Sequence, residues 1–140
     1  MRITICGSTK FVKEMREVKE KLELLGHDII LPLSAEMNQG KEYWNNMKQT
    51  DSDNFLNVKR ERMLGHFDEV KSSDAILVLN YDKDGKKNYI GGNTFLEMAI
   101  ALEHGKKIFL LNPAPKDSSY IEEIESMKPV VLTGDLNKIS

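Results

Sequence analysis

The segment at residues 75–80, Ala-Ile-Leu-Val-Leu-Asn, is apolar at every position before its terminal asparagine. A run this short and this uniformly apolar is typical of a strand that is covered on both faces, as in a parallel sheet. Four further runs predict short strands, and they lie at residues 3–6, 28–32, 107–111 and 130–132. The chain is therefore expected to build its core around a sheet.

Amphipathic segments separate these strands and predict helices. After the first strand, apolar residues recur at three- and four-residue spacing from Phe11 to Leu25, and Gly26 follows as a stop signal. Three further segments show helical patterns, at residues 55–72, 94–104 and 120–127. Strands that alternate with helices imply parallel strands joined by right-handed crossovers. The sequence predicts a three-layer, doubly wound α/β fold, Rossmann-like or flavodoxin-like, with about five parallel strands in the order 2-1-3-4-5.

Length and composition limit the organisation of the chain. Its 140 residues predict a single α/β domain at 1–140. Within it, residues 34–54 are polar and weakly periodic, which predicts a partly helical insertion or lid. The aromatic residues of this insertion, Tyr43 and Trp44, either stack on a bound base or anchor the insertion to the core or to a second subunit. The sequence leaves both interpretations open.

Charge and cysteine content indicate which partners to expect. A net charge of −2 gives no general attraction to nucleic acid or to anionic membranes. The densest basic stretch, at residues 59–62, contains a glutamate, which favours a solvated helix face over a phosphate-binding patch. We expect neither a membrane span nor a signal peptide. The single cysteine fits a reducing compartment, so we expect a cytoplasmic location.

A doubly wound sheet binds its ligand beyond the carboxyl ends of the strands, where the strand order reverses. In the predicted order this point lies between strands one and three, where residues 6–11 and 80–97 meet. The first segment contains Gly7-Ser8-Thr9-Lys10, whose amides, hydroxyls and cation at a helix N-terminus suit an anion. A tight turn explains these residues equally well. The chain contains neither a P-loop nor a dinucleotide fingerprint.

The second segment contains Gly91-Gly92-Asn93-Thr94, followed by Glu97 in the expected first turn of a helix. On spacing alone, Thr94 and Glu97 form a capping box, in which the glutamate bonds to the backbone of the cap residue. Alternatively, Glu97 points into the cleft as a nucleophile or base, kept ionised by the helix N-terminus, and the two glycines let a ligand approach closely. The pattern by itself favours the cap.

Two other residues near this edge carry reactive side chains. His66 lies eight residues before Asp74, on the helix that leads to strand three, and two helical turns return it toward the cleft. A surface histidine is the competing interpretation. Cys6 ends the first strand, where a lone cysteine is more often a small buried hydrophobe than a nucleophile.

Three segments together resemble the nucleoside 2-deoxyribosyltransferase-like superfamily, most closely the deoxynucleoside 5′-monophosphate N-glycosidases. They are Ile5-Cys6-Gly7-Ser8-Thr9-Lys10, Ser73-Asp74-Ala75-Ile76-Leu77-Val78-Leu79 and Gly91-Gly92-Asn93-Thr94-Phe95-Leu96-Glu97-Met98-Ala99. The resemblance covers most of residues 1–112. It implies cleavage or transfer at the N-glycosidic bond of a nucleoside or its 5′-monophosphate, with Glu97 as the nucleophile.

The resemblance also implies a homodimer or larger homo-oligomer that binds a small nucleoside or nucleotide, with no metal or redox cofactor. It assigns the sugar and phosphate contacts to the first loop and to the small residues before Glu97. With the pattern arguments above, the predicted substrate-binding residues are Gly7, Ser8, Thr9, Lys10, Trp44, Asn80, Gly91, Gly92 and Asn93.

One position departs from the family pattern, because His66 stands where these enzymes usually carry an active-site Asp. Assistance to the departing base would then fall to His66, since imidazole titrates near neutral pH. The same departure motivates an alternative, a non-catalytic nucleotide-binding module. A hydrolase of another type that acts at a phosphate site is a third hypothesis.

Overall fold

A computed structural model describes residues 1–140 and contains five parallel strands in one sheet, in the order β2-β1-β3-β4-β5. The strands are β1 (Arg2–Cys6), β2 (Asp28–Ile30), β3 (Ala75–Val78), β4 (Lys107–Leu110) and β5 (Val130–Val131). The predicted α/β fold and strand order are confirmed. Cys6 pairs with Val78, so β1 and β3 end side by side at the edge where the strand order reverses.

Six α-helices connect and cover the strands. They are α1 (Val12–Leu24), α2 (Leu33–Glu36), α3 (Lys41–Thr50), α4 (Ser52–Ser72), α5 (Gly92–Glu103) and α6 (Ile121–Ser126), with 3-10 turns at Thr9–Phe11 and Leu136–Lys138. The helix predicted at 55–72 begins earlier, because the Asp51 carboxylate caps it by accepting from the Asn54 amide. None of the helices combines the length and the apolar character that crossing a bilayer requires.

Successive side chains of β1 enter opposite layers of the fold, as the two-residue period of a strand requires. Ile3 and Ile5 belong to the apolar cluster that also contains the buried face of α1. Cys6 belongs to the second cluster, with Val70 of α4 and Met98 of α5. The last side chain of β1 therefore lies on the side of the sheet where α4 and α5 pack together.

Candidate active site

A cavity of about 510 Å³ opens at the carboxyl ends of β1 and β3, where the sheet topology places a ligand site. Its walls come from the loop after β1 and from α3, α4 and α5. Six of the predicted site residues line it, namely Gly7, Thr9, Trp44, His66, Asn93 and Glu97. The structure thus brings together residues from four separate parts of the chain.

Glu97 lies in the second turn of α5, not in the first turn as predicted. The helix begins at Gly92, two residues earlier than expected, with Gly91 as a cap that uses no side chain. Glu97 is consequently the sixth residue of the helix, too far along to close a capping box with Thr94. Its side chain is only 4% exposed yet lines the cavity. The capping interpretation is wrong, and Glu97 faces the cleft.

His66 connects Glu97 to a second carboxylate on α4. Its Nδ1 lies 3.0 Å from Oε2 of Glu69 and its Nε2 lies 3.7 Å from Oε2 of Glu97. Nε2 also lies 3.1 Å from the carbonyl oxygen of Ile5. A carbonyl oxygen can only accept, so Nε2 donates a hydrogen bond to Ile5, and Nδ1 donates to Glu69 when that carboxylate is ionised. The geometry fits an imidazolium held between two acidic side chains.

Cys6 completes the buried part of this cluster. Its Sγ lies 3.6 Å from Nε2 of His66, and the side chain is fully buried. The sulfur, the imidazole nitrogen and a Glu97 oxygen all lie within 4.8 Å of one another. Cys6 is buried, as the sequence favours, but its neighbours are polar and ionisable.

Burial and charge shift the pKa values of these three groups. Desolvation raises the pKa of Glu97 above its usual value, against the opposing charge of His66. Burial thus opposes the ionised form that the sequence analysis expects from the helix N-terminus, and the ionisation of Glu97 stays a prediction. Burial would lower the pKa of His66, but the hydrogen bond to Glu69 and the Glu97 charge raise it overall. Desolvation, reinforced by Glu97, raises the pKa of the Cys6 thiol well above normal.

The sequence analysis missed Glu69, although its position relative to His66 was a usable signal. Residues three apart on a helix lie on the same face, and Glu69 follows His66 at that spacing. Its side chain is 39% exposed and lines the cavity. Glu69 therefore places a second carboxylate beside the cleft, in contact with both His66 and solvent.

The cavity wall carries more positive than negative side chains. Five cations line it against three carboxylates, and the cations are Lys41, Lys48, Lys59, Arg62 and Lys83. Two of them belong to the basic stretch at 59–62, which was predicted to be a solvated helix face. Lys59 is exposed as predicted, yet it also borders the cavity. Its positive charge acts to lower the pKa of Glu97. This excess of positive charge suits an anionic ligand.

Trp44 lines the cavity and is also anchored to its wall. Its Nε1 donates to the carbonyl oxygen of Gln39, and the Arg62 guanidinium lies 5.1 Å from the ring centroid. Arg62 also donates to Ser34 and to Gln39. The two roles considered for Trp44 are thus compatible, since the anchored ring still faces the cleft.

Five other predicted substrate-binding residues do not line the cavity. The Ser8 hydroxyl accepts from the Lys10 amide, and the Lys10 ammonium contacts Asp84. Asn80 is fully buried and bonds to the backbone of residues 112–113 after β4.

The two glycines before Glu97 also lie outside the cavity lining. A Cβ on Gly91 would meet the Tyr89 hydroxyl at 2.8 Å, whereas one on Gly92 would meet nothing within 4 Å. The neighbour that crowds Gly91 is therefore part of the protein itself. Ligand roles for both glycines, and for Ser8, Lys10 and Asn80, stay predictions.

Solved structures with the same fold include two enzymes of nucleoside chemistry. The CMP N-glycosidase of Clostridium botulinum is 16% identical, with a TM-score of 0.51 over 94% of this chain and 85% of its own. The 2-deoxyribosyltransferase of Bacillus psychrosaccharolyticus is 15% identical, with a TM-score of 0.51 over 94% of this chain and 98% of its own. The predicted resemblance is confirmed in the fold. No known protein family and no curated protein matches the sequence itself.

Proposed function

We propose that this protein cleaves or transfers the N-glycosidic bond of a nucleoside or deoxynucleoside, or of its 5′-monophosphate, with Glu97 as the nucleophile. The observation that carries the proposal is a buried carboxylate that lines the cleft at the topological switch point, 3.7 Å from the His66 imidazole. The two enzymes of like fold act on the same class of bond, which supports the choice.

The proposed reaction needs one nucleophile and one route for a proton. An oxygen of Glu97 bonds to the anomeric carbon of the sugar, and the bond from that carbon to the base nitrogen breaks. The base leaves with the bonding electron pair and takes up a proton. Water, or the N–H group of a second base, then attacks the same carbon, gives its proton back to the His66–Glu69 pair, and releases Glu97 as a carboxylate. Water gives hydrolysis, and a second base gives transfer.

His66 acts in this proposal mainly through Glu97. Its Nε2 faces the Glu97 carboxylate and the Ile5 carbonyl, so the ring stabilises the ionised nucleophile and fixes its direction. The other nitrogen bonds to Glu69, which lines the cavity and reaches solvent. We assign to Glu69 the path by which a proton from His66 reaches the departing base.

The cations of the cavity wall support a 5′-phosphate on the substrate. We expect Lys59→Gln to raise KM for a nucleoside monophosphate by roughly tenfold, the equivalent of one charge-assisted hydrogen bond. KM for the corresponding nucleoside should stay within about twofold, because the lost charge meets no phosphate there. Steady-state kinetics on the two substrates measure the difference.

Arg60→Gln provides a matched control for that prediction. Arg60 is the next residue on α4, is exposed, and does not line the cavity. Its substitution should leave both KM values unchanged. If Lys59→Gln raises KM equally for the nucleoside and the monophosphate, Lys59 does not bind a phosphate.

The activity itself is tested by incubating the protein with the common nucleosides and their monophosphates, in ribose and deoxyribose forms. Chromatography should then detect free base from at least one substrate. A nucleotide that raises the melting temperature while no substrate yields free base would favour the alternative, a nucleotide-binding module without catalysis. The motive for that alternative is His66, which stands where the resembled enzymes usually carry an active-site Asp.

A further inference from the structure

We propose that Cys6, His66 and Glu97 form a binding site for a zinc-type transition-metal ion, with an open coordination position toward the cavity. The three side chains supply a thiolate, an imidazole and a carboxylate, which are the ligands that zinc uses in proteins. Their ligand atoms converge within 4.8 Å of one another, and all three residues are buried.

Two of the three ligand-to-ligand distances in this cluster match those around a tetrahedral ion. Bonds of about 2.0 Å to nitrogen and 2.3 Å to sulfur place tetrahedral ligand atoms roughly 3.3–3.8 Å apart. The Cys6 Sγ to His66 Nε2 distance is 3.6 Å, and Nε2 lies 3.7 Å from Glu97 Oε2. An ion can thus enter with small side-chain shifts.

Glu69 supplies the outer contact that such sites usually contain. A metal-bound histidine commonly donates its other ring N–H to a carboxylate, which fixes the ring and raises its basicity. Nδ1 of His66 lies 3.0 Å from the Glu69 carboxylate, which leaves Nε2 to face the ion. The His66–Glu69 pair is therefore oriented as a metal site requires.

Charge and access also fit a divalent ion of this type. On binding, the Cys6 thiol and Nε2 of His66 each release a proton to solvent. The resulting thiolate and the Glu97 carboxylate together neutralise the two positive charges of the ion. His66 and Glu97 line the cavity whereas Cys6 is fully buried, so the ion enters from the cavity side. The sulfur and nitrogen ligands favour zinc over magnesium or calcium, which prefer oxygen.

The test is a cobalt titration of the full chain after treatment with a chelator. Co²⁺ should bind one to one and give a thiolate-to-metal charge-transfer band, with visible bands of a low-coordinate ion, and Zn²⁺ but not Mg²⁺ should displace it. Cys6→Ser should abolish the charge-transfer band. Glu69→Gln should weaken Zn²⁺ binding by roughly 10–100-fold in a chelator competition. Glu97→Gln, nearly equal in volume to the native residue, should weaken it at least as much.

His27→Gln is the control, because the His27 imidazole pairs with the N-terminal amine at 3.3 Å and lies outside the Cys6–His66–Glu97 cluster. It should leave the cobalt spectrum unchanged. No charge-transfer band in the wild type, or a band that survives at full strength in Cys6→Ser, would overturn the site. So would equal Zn²⁺ affinity in folded Glu97→Gln, and circular dichroism verifies the folding of each variant.

The cobalt absorption spectrum does not depend on turnover, so it tests the metal site independently of the proposed function. If the proposed function also holds, an ion on Glu97 occupies the carboxylate that attacks the sugar. Zn²⁺ should then inhibit base release and a chelator should restore it. Inhibition without the thiolate band would place the inhibitory ion elsewhere.

Discussion

Glu97→Gln is expected to abolish the release of free base, with kcat at least about a thousand-fold below the wild type. An amide oxygen cannot form the glycosyl-enzyme. In a serine protease, loss of the nucleophile lowers kcat by about 10⁶-fold. The fold should be retained, because glutamine has nearly the same volume and His66 keeps its contacts with Glu69 and with the Ile5 carbonyl. Steady-state kinetics with chromatographic detection of base, together with thermal unfolding, measure both effects.

Glu103→Gln is the matched control for this prediction. Glu103 is the last residue of the same helix and is exposed, so its substitution should change neither turnover nor melting temperature by more than a small amount. Wild-type turnover by Glu97→Gln would end the nucleophile assignment. The fold and the cavity would remain, but the carboxylate would no longer be the reacting group.

The fold could be predicted because its signals are local. Each strand is a short apolar run and each major helix has an amphipathic stripe, so the alternation of elements can be counted along the chain. Right-handed crossovers then limit the possible strand orders, and 2-1-3-4-5 is a common order for a five-stranded doubly wound sheet. The errors lie at element ends, where single residues decide. Gly91 and Gly92 look like a loop, yet Gly92 already belongs to α5.

The site could be predicted only in part, because its residues meet across the sheet. Glu97 and His66 could be selected from the resemblance and from the switch point. Their contact with Cys6 could not, because Cys6 lies 60 residues before His66 in the sequence. Only the alternation along β1 indicates that Cys6 turns toward α4 and away from α1. The burial of Glu97 could not be predicted for a related reason, since a helix position says nothing about burial by neighbouring elements.

His66→Gln is expected to lower kcat by roughly 100-fold to 1000-fold while KM changes little. The substitution removes the imidazole whose Nε2 lies 3.7 Å from Glu97, and loss of one preorganised electrostatic contact typically costs this much. It also leaves a buried carboxylate without its compensating cation. Because His66 acts through Glu97 and not on substrate binding, the loss should fall on kcat, which steady-state kinetics can separate from KM.

A purely structural role for His66 would produce a different pattern. If the ring served only to join α4 to β1, the variant would melt at a lower temperature. The molecules that stay folded would then keep the wild-type kcat. Asp68→Asn, an exposed change two residues away on the same helix, should leave both kinetic constants and the melting temperature unchanged. Wild-type kcat in folded His66→Gln would show that the Glu97 carboxylate works without a cation beside it. The nucleophile would then depend on the cavity's lysines for its charge balance, and Lys59, whose charge already reaches Glu97, would be the first to examine.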